Sequence, residues 1–344
     1  MDISLKGKGA IPRKADARDI IYRDYIAGFS PIDWDVPYDV RDKIGELPVN
    51  DQGQGLSCTG QASSKLAEIA NAFEIKQVNH YVRLSARDIY SRIFISSGGA
   101  YGFKALSKIV ERGVATENRV PSGQDEQSMR VQDNSPSATE EALIYQAKSY
   151  AFVSANIDEM ALAIKNQNGI VFGVIGTNGG WSGDRPRYPQ PGEEVWYHFI
   201  TGIGYKLIGG KKHIVILNSW GEEWGDNGYG YISEDYIAWG WTFNAMTLLD
   251  LPNPPEKIFM KRVVRLDGTQ DQYILESGRK VLIPDLETRA FYRDVLKIIP
   301  DSEPEVIQKA EFDSYMESEP LSMGVMRATK NAYPFFKDAF EKNQ

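Results

Sequence analysis

Only one cysteine, Cys58, occurs in 344 residues, and it ends a glutamine–glycine loop, "NDQGQGLSCTG" (50–60), just ahead of a helical pattern. The thiolate is the reactive form of cysteine, and the partial positive charge at a helix N-terminus stabilises it. A free cysteine is otherwise a small, buried space filler, so reactivity calls for an electropositive neighbour. Among the three histidines, His198 opens a strand-like run, "HFITGIGY", 140 residues downstream of Cys58. Asn218 closes another, "HIVILN". If those two runs pair side by side, the Asn218 amide can orient the His198 imidazole. Gln52, six residues before Cys58, adds a side-chain amide that, with the Cys58 backbone N–H, could bind an oxyanion. Thiol, imidazole, orienting amide and oxyanion donor are the parts of acyl transfer through a thioester. His80 and His213 have no partner suggested by pattern and read as structural.

These groups need elements to hold them. Ala62, Leu66, Ile69, Ala70 and Phe73 recur at three- and four-residue steps, so residues 58–76 read as a helix with one buried stripe. "SARDIYSRIFIS" reads as a second helix capped by Ser85, and "GFKALSKIVERG" as a third closed by Gly113. The polar stretch 121–140 reads as a surface loop, and "NIDEMALAIKNQNG" as a helix ended by Asn168-Gly169. The period then changes: "IVFGVIG", "WYHFITGIGYKLI", "KKHIVILNSW" and "GYGYISEDYI" are β-branched or aromatic runs divided by glycines. Helices first and antiparallel strands afterwards predict an α+β fold, a helical half facing a sheet half.

Composition bounds the rest. The chain is 42% hydrophobic and 25% charged, an ordinary globular balance that supports a sizeable core. A net charge of −8 argues against a nucleic-acid partner, and no run of eighteen apolar residues offers a membrane span. One cysteine excludes an internal disulfide and a cysteine-built zinc site, and no cofactor is expected. The N-terminus lacks a secretory core, which with the absence of disulfides predicts a cytoplasmic protein, export without such a signal remaining open. "DLPNPPEK" (250–257) is the best domain break. Beyond it, two or three short strands around Gly268 and Gly278 and a helix from Asp285 are expected.

Taken in order, these segments resemble the papain-like cysteine peptidases, and within them the bacterial, xylellain-like branch. The glutamine–glycine loop with "SC", then "HFITGIGY", then "LNSWGEEWGDNGYGYI" match the family's nucleophile, histidine and asparagine segments. "SSGGAYGFKALSKIVERGVATENRVP" resembles the stretch that lays a Gly-Gly pair along the substrate cleft, and "IPRKADARDIIY" resembles the opening of bacterial members. The resemblance covers roughly residues 10–250. It implies a two-lobed fold, Cys58 as nucleophile, His198 as base and then acid, Asn218 as its orienter, Gln52 as oxyanion donor and Trp220 as a shield over the His–Asn bond. Gly98 and Gly99 would let a substrate backbone approach, and Leu56, Trp196 and Phe199 are candidates to contact substrate, Trp196 and Phe199 reading equally well as core. The chain departs from the family pattern at Gln54 or Gly55, where a cysteine is usual, at Leu56, where glycine is usual, and at Thr59, where tryptophan is common. Leu56 either crowds the cleft or turns outward.

The resulting layout is an N-terminal extension (1–30), a peptidase domain (31–251), a small β-rich C-terminal module (258–320) and a tail (321–344). The extension either covers the cleft in part or packs behind the domain. The module weakly resembles a short bacterial surface-protein repeat, "Y-x-L-x-x-G-[RK]-[KR]-x-x-I-P-D", which implies partner binding rather than chemistry. The expected substrate is a peptide or protein. Two rivals remain: a silent or autoinhibited binding protein on the same fold, and another thiol acyl transferase such as a transglutaminase or amidase. Asn218-Ser-Trp-Gly and Gln52 argue against the latter.

Overall fold

Cys58 opens an 18-residue helix, Cys58–Ile75, in the computed structural model of the protein. Residues 2–16, 19–25, 30–75, 81–249, 262–276, 279–283, 304–309 and 316–318 are described. Ala62, Leu66 and Ile69 are buried on this helix as their spacing requires, while Ala70 and Phe73 sit half-buried at its edge. Around it pack Ala86–Tyr90, whose Ser85 cap accepts the Asp88 N–H at 2.9 Å, and Gly102–Glu111, after which Gly113 turns the chain with φ +81°. Together with Cys58 and Phe199 these helices share one apolar core cluster.

The polar stretch expected to be a loop carries two short helices, Glu126–Met129 and Pro136–Ile144. Both are started by caps rather than by an apolar stripe. Asp125 accepts from Ser128 N–H, Ser135 accepts from Ala138 N–H, and Pro136 occupies the first helical turn.

The second half is a seven-stranded sheet. Its path runs Ser149–Val153, Thr242–Leu249, Ile170–Gly176, Trp196–Ile208, Lys211–Leu217 and Tyr229–Ser233, all antiparallel, with Tyr38–Asp39 pairing to the far end of Trp196–Ile208. The run "GYGYISEDYI" splits here: the strand stops at Ser233, whose hydroxyl caps the helix Glu234–Ala238. Ile157–Gln167 lies against the sheet, capped by Asn156 and ended by Asn168 at φ +64°, a left-handed residue of the kind asparagine tolerates. The long strand Trp196–Ile208 is the central strut. It pairs with Lys211–Leu217 in the register Thr201↔Leu217, so His198 and Asn218 arrive at the same end of neighbouring strands. No helix among the described residues is long and apolar enough to cross a membrane.

The chain divides into two units, Met1–Pro252 and Asn253–Gln344. The second holds a five-stranded sheet ordered Glu305–Ile307, Arg262–Leu266, Gln272–Glu276, Arg279–Ile283 and Met316–Ser318. Its three central strands are antiparallel neighbours, the first two joined through a turn at Gly268 (φ +82°), and the two outer pairings are parallel. The helix expected from Asp285, the tail 321–344 and His80 lie outside the described residues.

Candidate active site

Cys58, His198, Asn218 and Gln52 are all buried in the first unit, brought together from the central helix, two strands and the loop before the helix. His198 Nε2 and Asn218 Oδ1 lie 2.8 Å apart. A carbonyl oxygen only accepts, so Nε2 carries the proton and Nδ1 is left as the basic nitrogen. Nδ1 is buried without a hydrogen-bond partner among the described residues. Asn218 Oδ1 also accepts the Ser219 N–H at 2.8 Å, and the Asn218 backbone N–H donates to Gly228 O at 3.0 Å, so the residue is anchored through its oxygen and its main chain, while Nδ2 is buried without a partner among the described residues. The Trp220 ring stacks on the imidazole at 4.6 Å between centroids. Trp181, fully buried, stands edge-on to His198 and Trp196 and stacks on Trp224, closing an aromatic box behind the histidine.

Gln52 is oriented from the asparagine segment. Ser219 Oγ donates to Gln52 Oε1 at 2.6 Å, and the Gln52 backbone N–H donates to Ser219 O at 2.9 Å. That fixes which end of the amide faces outward: Nε2 donates to Gly55 O at 2.7 Å and to Gly7 O at 3.2 Å. The loop is pinned to the nucleophile helix by a buried polar network. Asn50 Nδ2 donates to Gln61 Oε1 and Arg83 Nη2 to Asn50 Oδ1, both at 2.9 Å, while Lys65 Nζ reaches Pro48 O at 2.8 Å and pairs with Glu68. Glu68 in turn accepts the Leu84 N–H and the Tyr81 hydroxyl, so neither charge is left unpartnered. Leu56 is held by its N–H to Glu126 Oε2 at 2.8 Å, and its side chain leans over Gly98. It therefore lies in the cleft wall rather than outward. Phe199 is buried against Gly102 in the cluster that contains Cys58, whereas Trp196 is half-buried at the edge of the aromatic box. His213 sits away from these groups, its Nδ1 2.9 Å from Lys211 O.

The N-terminal segment runs straight across this arrangement. Gly7 N–H donates to Gly53 O (2.9 Å), Gly7 O accepts from Gln52 Nε2 and from Trp220 Nε1 (3.4 Å), and Gly9 N–H donates to Cys58 Sγ (3.3 Å). Farther along, Ala100 N–H donates to Gly9 O at 2.8 Å and Ile11 N–H to Ala100 O at 3.0 Å. Lys6 pairs with Asp51 at 2.7 Å, and the Lys8 ammonium lies over the Trp196 and Trp220 rings at 5.4 and 5.7 Å. The Asn244 amide, on a residue at φ +45°, exchanges two hydrogen bonds with the backbone of Arg13. Close approach of two backbones requires glycine on both: a β-carbon would come within 2.1 Å of Leu56 O from Gly9, and within 2.3 Å of Gly9 O from Gly99.

Burial sets the electrostatics. Burial pushes the Cys58 thiol up to about 11, against the opposing pull of backbone N–H groups of Gly9, Phe199 and Thr59. Burial also drives His198 down to about 3; the Asn218 bond opposes the shift and the nearby Lys8 ammonium adds to it. With the segment in place, thiol and imidazole are both neutral. The Phe199 N–H at the Cys58 sulfur places the His198 strand beside the thiol.

Sequence reasoning missed Lys8, Trp181, Glu126 and the Lys65–Glu68 pair. The buried pair leaves a trace, a lysine and a glutamate three apart in the middle of a helix whose stripe is otherwise uncharged. The others become visible only when distant segments meet.

Known proteins bear on this geometry. The model of the papain family cysteine protease matches residues 36–245. Mexicain from Jacaratia mexicana is 29% identical over 202 residues, a match covering 58% of this chain and 85% of mexicain. Papaya proteinase 4 from Carica papaya is 28% identical over 217 residues, and the chain spans 53% of its length. Among solved structures, xylellain, a cysteine protease from Xylella fastidiosa, superposes with a TM-score of 0.61 at 22% identity, covering 72% of this chain and 97% of that one. The first unit thus has the two-lobed α+β architecture of those proteins.

Proposed function

Because the chain belongs to the papain family of cysteine proteases, we propose that it is a peptide-bond hydrolase that works through Cys58, His198, Asn218 and Gln52 and is held latent by its own N-terminal segment. His198 Nδ1 takes the thiol proton, and the thiolate attacks the peptide carbonyl carbon. Gln52 Nε2 and the Cys58 backbone N–H stabilise the oxyanion. His198 then gives its proton to the leaving amine, and water, deprotonated by the same nitrogen, hydrolyses the thioester. Asn218 keeps the ring in the tautomer this requires, and Trp220 keeps water from its bond. Gly98 and Gly99 receive the substrate backbone, with Leu56 narrowing that part of the cleft.

The observation that carries this reading is the pairing of His198 Nε2 with Asn218 while Nδ1 stays buried and unpartnered, on a strand whose next residue, Phe199, shares the apolar cluster of Cys58. Latency rests on which atom of the segment meets the sulfur. Cys58 Sγ faces the Gly9 N–H, a donor, and not a carbonyl carbon, so the segment fills the site without being poised for attack. The test is hydrolysis of an internally quenched peptide pool by the full-length protein before and after limited proteolysis within residues 1–30. Activity should appear on clipping and vanish in Cys58→Ala. A clipped protein whose residual hydrolysis is the same in Cys58→Ala would overturn the assignment.

A further inference from the structure

Beside the aromatic box lies a cavity of about 390 Å³ that the reaction itself does not use. Lys8, Thr177, Asn178, Glu193, Glu194 and Trp196 are among the residues lining it. Its floor is the tryptophan face over which the Lys8 ammonium sits, and that ammonium donates to Ile3 O at 2.6 Å, with Asp2 the nearby opposite charge, both within the segment itself. Two carboxylates stand on the rim. Glu193 is engaged by Arg187 Nη1 at 2.7 Å and by the Gln190 N–H at 2.8 Å. Glu194 is exposed and forms no ion pair with another described residue. A pocket with an aromatic floor and an uncompensated carboxylate on its rim attracts a cation and repels an anion.

We propose that this cavity is a subsite for a lysine or arginine side chain of the substrate, on the leaving-group side of the scissile bond, and that Lys8 occupies it in the covered protein. The side follows from the path of the segment past Cys58. From Gly9 onward it pairs with Ala100, next to the Gly98–Gly99 pair assigned to the acyl part of the substrate; Lys8 lies on the opposite side, against Trp220 and Trp196. The assignment rests on the peptidase reading for its substrate, but the cation site can be read without turnover.

Two measurements on the full-length chain test it. In the first, Gly9→Val protein, whose segment cannot pass Leu56, is given quenched peptides differing only in Lys, norleucine or Glu after the scissile bond. The lysine peptide should have a kcat/KM about 5- to 30-fold above the norleucine peptide, and the glutamate peptide should be the poorest. The lysine-to-norleucine ratio should shrink when Glu194→Gln is added and approach one in Glu194→Lys. In the second, the segment is otherwise native and Cys58 alkylation by iodoacetamide is timed. Lys8→Met should react about 5- to 30-fold faster than the native chain, and Lys8→Arg at close to the native rate. Peptide cleavage without a lysine preference, or a preference indifferent to Glu194, overturns the subsite while leaving the peptidase reading intact. Alkylation that responds to Lys8 in a protein that cleaves none of the peptides overturns the peptidase reading and supports the cation site. Equal alkylation of Lys8→Met and the native chain overturns the cation site.

Discussion

Replacing Gly9 by valine separates the chemistry of the site from its cover. A β-carbon at Gly9 would lie 2.1 Å from Leu56 O and 2.7 Å from Leu56 Cβ, and both belong to a stretch fixed by Glu126 and the helix start, so the segment must leave. What it gives up is a set of backbone hydrogen bonds at Gly53, Gln52, Cys58 and Ala100, each worth about 1 kcal/mol net, and the Lys6–Asp51 pair, which is partly exposed and adds little. The thiol then returns from about 11 toward the ordinary value near 8.5 or, beside a protonated His198, below it. At pH 7.5 a thiol of pKa about 11 is roughly 0.03% ionised and one of 8.5 roughly 9%, so ionisation alone makes Cys58 about 300-fold more reactive. The assay is iodoacetamide alkylation from pH 5 to 10, followed by intact mass, with far-ultraviolet circular dichroism confirming that the variant is folded. Native protein should react slowly, its rate still climbing at pH 10; Gly9→Val should react quickly, reaching half its limiting rate at or below about pH 8.5. Equal rates in the two proteins, or a native rate that levels off near pH 8.5, would refute the claim that the segment sets the thiol's ionisation.

Three further outcomes follow from the same geometry. His198 is held near 3 under the cover and returns toward 6.5 when uncovered, so its contribution to the covered state is full above pH 6.5 and is lost as pH falls toward 3, while the thiol weakens the cover from the other side above about pH 8.5; at pH 4.5 the balance shifts toward opening by about 100-fold, readable as faster hydrogen exchange over residues 3–13 after correction for intrinsic rates. Gln52→Ala should lower kcat by about 10²- to 10³-fold in the uncovered enzyme with a much smaller change in KM, because its amide is needed most when the oxyanion forms. Lys65→Met should destabilise the fold by about 3–5 kcal/mol in chemical denaturation by stranding Glu68 at 1% exposure, and adding Glu68→Leu should recover most of that loss.

The sequence and the structure agree most closely where function depends on short-range pattern. The helix after Cys58, the cap at Ser85 and the strand character of the runs that carry His198 and Asn218 follow from local periodicity and turn chemistry. The helices at Glu126 and Pro136 are not legible as an apolar stripe because their signal is a capping side chain, and the strand Ser149–Val153 lies where no glycine marks a boundary. At the site, residue types and order single out Cys58, His198, Asn218 and Gln52 as candidates, and all four are buried in the first unit. The orientation of Gln52 by Ser219, the lean of Leu56 over Gly98 and the seat of Lys8 were not legible, since each depends on segments that meet only through the fold. The choice left open for the first thirty residues, cover or backing, comes down to glycine spacing: "KGKG" places a β-carbon-free residue at each point where the segment passes the loop before Cys58.

The segment meets Cys58 from 49 residues away on the same chain, and that tether gives its contacts a second meaning. A short tethered ligand competes at an effective concentration in the millimolar range, whatever the concentration of the protein. A free peptide with equally good contacts has to approach that level before it displaces the segment, so micromolar substrate sees a closed door. One cut between Ile11 and Asn50 removes no hydrogen bond at the site, yet it dilutes the cover to the concentration of the protein itself. The lock is therefore a matter of connectivity: the same atoms in the same places hold the site shut or let it go according to whether a single backbone bond elsewhere is intact.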